Sequence, residues 1–195
     1  MRAPAPPYAS EGLHALWHVS ENPRIARFEP HVSENGGIDR FVPRANEAHD
    51  SPEPLVWAID GEHVPAYWFP RDCPRGTFWA AAETAAADAE RLLAGSSRVH
   101  VIEEAWLDRM RAATVFAYRL PEERFEPHPE VGGYWISRAA AEPIEIERLD
   151  DLVGRHERAE IELRVLANLW PLWNDVAAST LEFSGMRLRY AAPAM

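Results

Sequence analysis

Apolar and polar positions alternate over many short stretches of this chain and run with a helical period over only a few. Leu16-Trp17-His18-Val19 is a brief apolar run that Ser20-Glu21-Asn22-Pro23 stops, which predicts a strand over about 15–19. Leu55 to Ile59 in "PLVWAID" is all apolar and predicts a second strand; "TFWA" predicts a third. "RVHVIEE", "TVFAYRLP", "GYWISR", "EPIEIERL" and "IELRVL" alternate as further strands, and "GMRLRYA" reads as a closing edge strand. The strongest helical signal is "AETAAADAERLLAG", alanine-rich, acidic early and stopped by Gly95. "AWLDRMRAA", "LDDLVGRHERAE" and "NLWPLWNDVAAST" predict three more helices, the last with Asn168 as N-cap and Pro171 in its first turn. A helical turn is expected near "GEHVPAYWF", and the prolines of "PRDCPRG" end it.

Strands outnumber helices and do not alternate strictly with them. That order predicts an α+β fold, a mainly antiparallel twisted sheet of short strands with flanking helices. Residues 1–12 read as a loose leader and 13–195 as a single domain. Within it, 13–150 form a core, and 151–195 are expected as a helix-strand-helix cover. Residues 30–54, rich in Pro, Gly, Asn and Ser, read as a long surface loop.

Composition narrows the function classes. A net charge of −11 argues against nucleic acid or an anionic membrane as the main partner. No run approaches about 18 apolar residues, so no membrane span is expected. Every cationic side chain is Arg, which excludes a lysine nucleophile. Cys73 is the only cysteine, so no intrachain disulfide and no Cys-rich zinc site can form, and a cytoplasmic location is expected. No P-loop, G-x-G-x-x-G, H-E-x-x-H or G-x-S-x-G occurs. His14 and His18, on a strand, would stand about 13 Å apart with no third ligand, so no metal site is expected.

Two stretches carry candidate chemistry. "PRDCPR" sets Arg71 and Arg75 around Cys73; the arginines suit a phosphate clamp, because a guanidinium fork matches phosphate oxygens. Flanking cations could also activate the thiol. The eight tryptophans sit among other aromatics, as in Tyr67-Trp68-Phe69 and Tyr134-Trp135. Most of this is core packing, but part could form a stacking surface for a flat ring.

The order of segments resembles the ADP-ribosyltransferase fold over about residues 13–150, nearest to the rifampin ADP-ribosyltransferases. Leu16-Trp17-His18-Val19-Ser20 stands where that family has a strand carrying "YHGT". "LVWAIDGEHVPAYWF" is similar to its tyrosine-bearing second strand, with Trp57 at the tyrosine and Tyr67 further on; "VFAYRLPEERFEPHPE" and "YWISRAAAEPIEIERL" follow in the same order. The chain also looks like a member of an uncharacterised bacterial family with the pattern LxHxSE…VWAID…YWFPRDCPR.

The resemblance implies NAD as substrate and cleavage of its nicotinamide–ribose bond, by ADP-ribosyl transfer or hydrolysis. It implies His18, Tyr67 and Glu126 as catalytic residues, and Ser20, Trp57, Arg71, Arg75 and Tyr134 as binding residues. Such cleavage builds oxocarbenium-like charge, which a carboxylate stabilises; Glu130 and Glu145 are alternatives to Glu126. The other expectation is a non-catalytic protein of the same fold that binds a small-molecule nucleotide or a partner.

Overall fold

The structure, a computed structural model, describes residues 15–32, 53–129 and 132–194. The leader, His14, most of the expected 30–54 loop and Glu130 lie outside the described residues. The fold is α+β with mostly antiparallel strands, arranged as two sheets where the sequence reading has one.

Ten strands are found among the described residues, most of them on the expected stretches; the short strand Glu126–Pro127 is not among those expected. They are β1 (Leu16–Ser20), β2 (Val56–Asp60), β3 (Arg75–Trp79), β4 (Arg98–Glu103) and β5 (Val115–Leu120). Then come β6 (Glu126–Pro127), β7 (Tyr134–Ser137), β8 (Glu145–Leu149), β9 (Glu162–Leu166) and β10 (Glu182–Met186). The first sheet has the order β6-β7-β2-β1-β5-β8 and the second β10-β3-β4-β9. Every described pairing is antiparallel except β4 with β9. A parallel neighbour needs a long crossover, and here the chain lays down α2 (Leu107–Ala112), β5 to β8 and α3 (Leu152–Arg158) before it returns.

Strand alternation sorts the side chains into three cores. Trp17 and Ile59 of the first sheet meet Ile102 of the second, with Trp68 and Phe69 from the connection between β2 and β3. Phe28, Leu16, Ala58 and Tyr118 cover the other face of the first sheet. The other face of the second sheet buries Phe78, Val99 and Val101 under Trp173 of α4 (Trp170–Ala177). Gly76 and Gly185 face each other across β3 and β10. The Trp173 ring lies on both, so a Cβ on either would come within 2.6 Å of it.

Two expectations change here. The alanine-rich helix shrinks to α1 (Ala86–Asp88) and a π turn over Ala89–Leu93, ended by Ala94 and Gly95 at positive φ. Its apolar anchors are few: among these residues only Leu92 and Leu93 are buried. One of its acidic residues, Asp88, is bonded to the Thr180 backbone N–H at 2.9 Å and hydroxyl at 2.8 Å. Residues 151–195 are also more than a cover. They supply both outer strands of the second sheet, and the buried Glu103 carboxylate accepts from Leu169 N at 3.3 Å and Ala192 N at 2.9 Å. The closing strand falls earlier than expected, at Glu182–Met186, because Arg187 at φ 58 turns the chain into a 3-10 turn, Leu188–Tyr190.

Candidate functional site

β1 and β2 pair at only two positions, Leu16–Asp60 and Trp17–Ile59, before they part. β1 continues along β5 for all five residues, and β2 continues along β7. His18 is the first residue past the parting. Its Nδ1–H donates to the Trp57 carbonyl at 3.1 Å, so a side chain takes up an acceptor that the β1–β2 ladder leaves there. Alternation puts the His18 ring on the outer face with Leu16, 4.6 Å from the Phe28 ring. Burial is the main cause that lowers its pKa from 6.5, and the Arg71 charge adds to it, while the bond to Trp57 opposes. The imidazole is therefore neutral at pH 7, with Nδ1 protonated and Nε2 an acceptor.

The Trp57 ring lies on the other face, toward the second sheet. It stacks on His128 at 5.3 Å and 26°, and meets the edge of Tyr134 at 6.2 Å. Tyr134 opens β7; Tyr67 ends the 3-10 turn Val64–Tyr67, which Pro65 starts. Their hydroxyls bond at 2.8 Å. Burial raises both phenol pKa values, so both keep their protons. The Ser184 hydroxyl is bonded to Tyr134.

Arg75 completes this cluster. It is the first residue of β3 rather than part of the loop, and it is 5% exposed. Its guanidinium lies 5.5 Å from the Tyr67 ring centre and 5.2 Å from that of Phe69. Nε donates to Ala66 O at 2.8 Å and one terminal nitrogen to Cys73 O at 3.0 Å; the other meets Met186 Sδ at 3.2 Å.

Of the residues expected from the sequence, Trp57, Tyr67, Arg75 and Tyr134 are thus brought together. His18 joins them only through the Trp57 backbone. Arg71 is exposed and its backbone N–H is bonded to Glu21 at 3.1 Å, on the His18 side. Ser20 accepts from Asn22 N at 3.1 Å, a turn that ends β1. Glu126 stands apart from the cluster. Its side chain is 60% exposed and is bonded to Arg138, which also reaches Glu53 at 3.2 Å. Glu145 is exposed as well, 3.8 Å from Arg119. The sequence reading missed His128, Ser184 and Arg187. His128 sits between two prolines in "EPHPE", which could have marked it as a fixed side chain; "FSGMR" reads locally as a turn.

The thiol of Cys73 is fully buried, and that burial pushes its pKa up to about 12 in spite of Arg75. Arg75 instead spends a hydrogen bond on the Cys73 carbonyl. Native protein at pH 8 is therefore expected to leave an aromatic disulfide reagent unreacted, with one thiol released only on denaturation; rapid native reaction would refute this. Among the described residues no group of three His, Cys, Asp or Glu could hold a metal ion, and no helix is long and apolar enough to cross a membrane.

No curated protein and no solved structure matches the chain. A family model matches residues 31–191, which include the whole inner cluster, and the chain therefore belongs to that family, described as a family of unknown function (DUF6886).

Proposed function

We propose that this protein binds a nucleotide at the inner cluster, with NAD as the first candidate, in a cytoplasmic setting and without nucleic acid or membrane as partner. The observation that carries the reading is the half-buried Trp57 ring. It is held where β1 and β2 part, stacked on His128 and edge-on to Tyr134, and so gives a flat ring an aromatic wall. Stacking on such a wall tolerates any base or a nicotinamide. The net charge of −11 and the single buried cysteine accord with that setting.

Binding is favoured over cleavage. Breaking the nicotinamide–ribose bond calls for a carboxylate beside the reacting carbon, and Glu126 is engaged with Arg138 at the surface. ADP-ribosyl transfer or NAD hydrolysis is the second reading. Its support is His18 at the parting of the strands and the resemblance in segment order over residues 13–150.

Titration calorimetry with NAD, beside Trp57→Leu and His18→Ala, tests both readings, with nicotinamide release followed in the same samples. NAD binding that Trp57→Leu weakens roughly tenfold, the worth of one base stack, supports the site. Release of nicotinamide that His18→Ala abolishes would establish the second reading. Absence of any heat at millimolar NAD would overturn both.

A further inference from the structure

Arg75 is a cation in the interior with no counter-charge beside it among the described residues. It is 5% exposed, and no carboxylate lies within ion-pair distance among the described residues. A buried charge of this kind costs several kcal/mol unless an opposite charge and hydrogen bonds compensate it. The compensation here is partial. Two backbone carbonyls and the thioether of Met186, a weak acceptor, take three of its five N–H groups. One N–H on each terminal nitrogen has no acceptor among the described residues.

The groups around it are donors rather than acids. Arg187 is near enough that its charge disfavours the charged form of Arg75 and favours that of Tyr67. It forms no ion pair with a carboxylate among the described residues. Ser184 and Thr77 are register partners on β10 and β3, on the same face as Arg75. The Thr77 Oγ1 is buried and has no partner among the described residues. Ser184, Met186 and Arg187 are half-buried, so the cluster opens to solvent on the β10 side.

We propose that Arg75, Arg187, Ser184 and Thr77 form a seat for a phosphate-type oxyanion, and that β10 supplies one wall of it. A phosphate group offers several acceptor oxygens and a negative charge, which are what the two guanidinium groups and the Thr77 hydroxyl lack, and the Ser184 hydroxyl, bonded to Tyr134, lies beside them. The seat rests on the nucleotide reading for what carries the phosphate, and on the surroundings of Arg75 for the phosphate itself. It gives the C-terminal segment a role in binding that the segment's own sequence does not announce.

Inorganic pyrophosphate and inorganic phosphate are the probes, titrated calorimetrically in chloride buffer against wild type, Arg187→Gln, Arg187→Glu and Ser184→Ala. Arg75 is left unchanged, because its bonds to Ala66 and Cys73 hold the β2–β3 connection. Wild type is expected to bind pyrophosphate more tightly than phosphate, and Arg187→Gln to bind it about tenfold more weakly, the scale of one charged hydrogen bond. Arg187→Glu places a carboxylate beside Arg75. It is expected to abolish pyrophosphate binding and to raise the melting temperature, a pair of changes that a purely structural Arg187 would not produce. Equal pyrophosphate binding by wild type and both Arg187 variants would overturn the seat, as would NAD binding with none of pyrophosphate. Pyrophosphate binding without NAD binding would leave the seat standing and remove the nucleotide reading.

Discussion

Gly76→Ala is expected to lower the free energy of unfolding by about 3 kcal/mol, at the upper end of what overpacking a core costs. The cause is the Trp173 ring, whose carbons would meet the new Cβ at 2.6 and 2.8 Å. Trp173 is fully buried and cannot swing aside, because Gly185 forms the other half of its bed and Phe183 packs on it edge-on at 5.4 Å. Urea denaturation of wild type and variant measures the loss as a shift in midpoint at constant slope. A second substitution sharpens the test. In the Gly76→Ala background, Trp173→Leu shortens the side chain that collides, so the double variant should lose less than the sum of the single losses. A Gly76→Ala midpoint within error of wild type would show that the sheet and helix α4 adjust, and would remove the packing argument.

Acidification is expected to destabilise the protein between pH 6.5 and 4, through histidines buried as neutral rings. His156 Nδ1–H donates to Leu152 O at 2.7 Å, which leaves its Nε2 as an acceptor. His100 Nδ1–H donates to that Nε2 at 2.9 Å. The pair is thus wired in one tautomeric sense, and a proton added to His156 would break it. Burial lowers the His156 pKa from 6.5 to about 4, while the bond to Leu152 opposes. Burial, then the charge on His156, lowers His100 further below the ordinary value.

The sign follows from proton counts. In this window the unfolded chain binds more protons than the folded one, so stability rises with pH. The contribution is complete above pH 6.5, falls as pH drops through the window, and is level below about 4. For His156 alone the loss is about 3 kcal/mol, from the shift between 6.5 and about 4. His18 acts in the same direction. The carboxylates with lowered pKa, Asp88, Asp150 and Asp151 with an ordinary 3.8 and Glu162 with 4.5, act in the same direction, at the acid end of this window and below it. Urea midpoints at pH 7, 6, 5 and 4 should decline steadily, and less steeply in His156→Gln. A flat series in the wild type would contradict the buried neutral pair.

Periodicity in the sequence located most strands, because alternation reports a local property, one face in water and one in a core. "EPIEIERL" became β8 for that reason, whereas "RVHVIEE" and "TVFAYRLP" became β4 and β5, which pack into a core on both faces. The single cysteine and the charge of −11 are likewise complete in the residue list. The alanine-rich stretch went the other way. Its propensity is high, but helices in proteins are held by an apolar face against a core, and this one buries only Leu92 and Leu93 among its residues.

The chain order alone settles which residues exist and which short segments are extended. It does not settle which segments become neighbours. Long-range pairing put β9 beside β4 and β10 beside β3, and so carried Ser184 and Arg187 to Arg75 across more than a hundred residues. It also assigned faces: His18 to the outside against Phe28, Trp57 to the inside against Tyr134. Glu126 found Arg138 at the surface instead of the inner cluster. A one-residue change of register reverses every face of a strand, and register is set by contacts between segments far apart in sequence. That is why candidate residues could be named from the sequence, while their grouping into a site belonged to the tertiary structure.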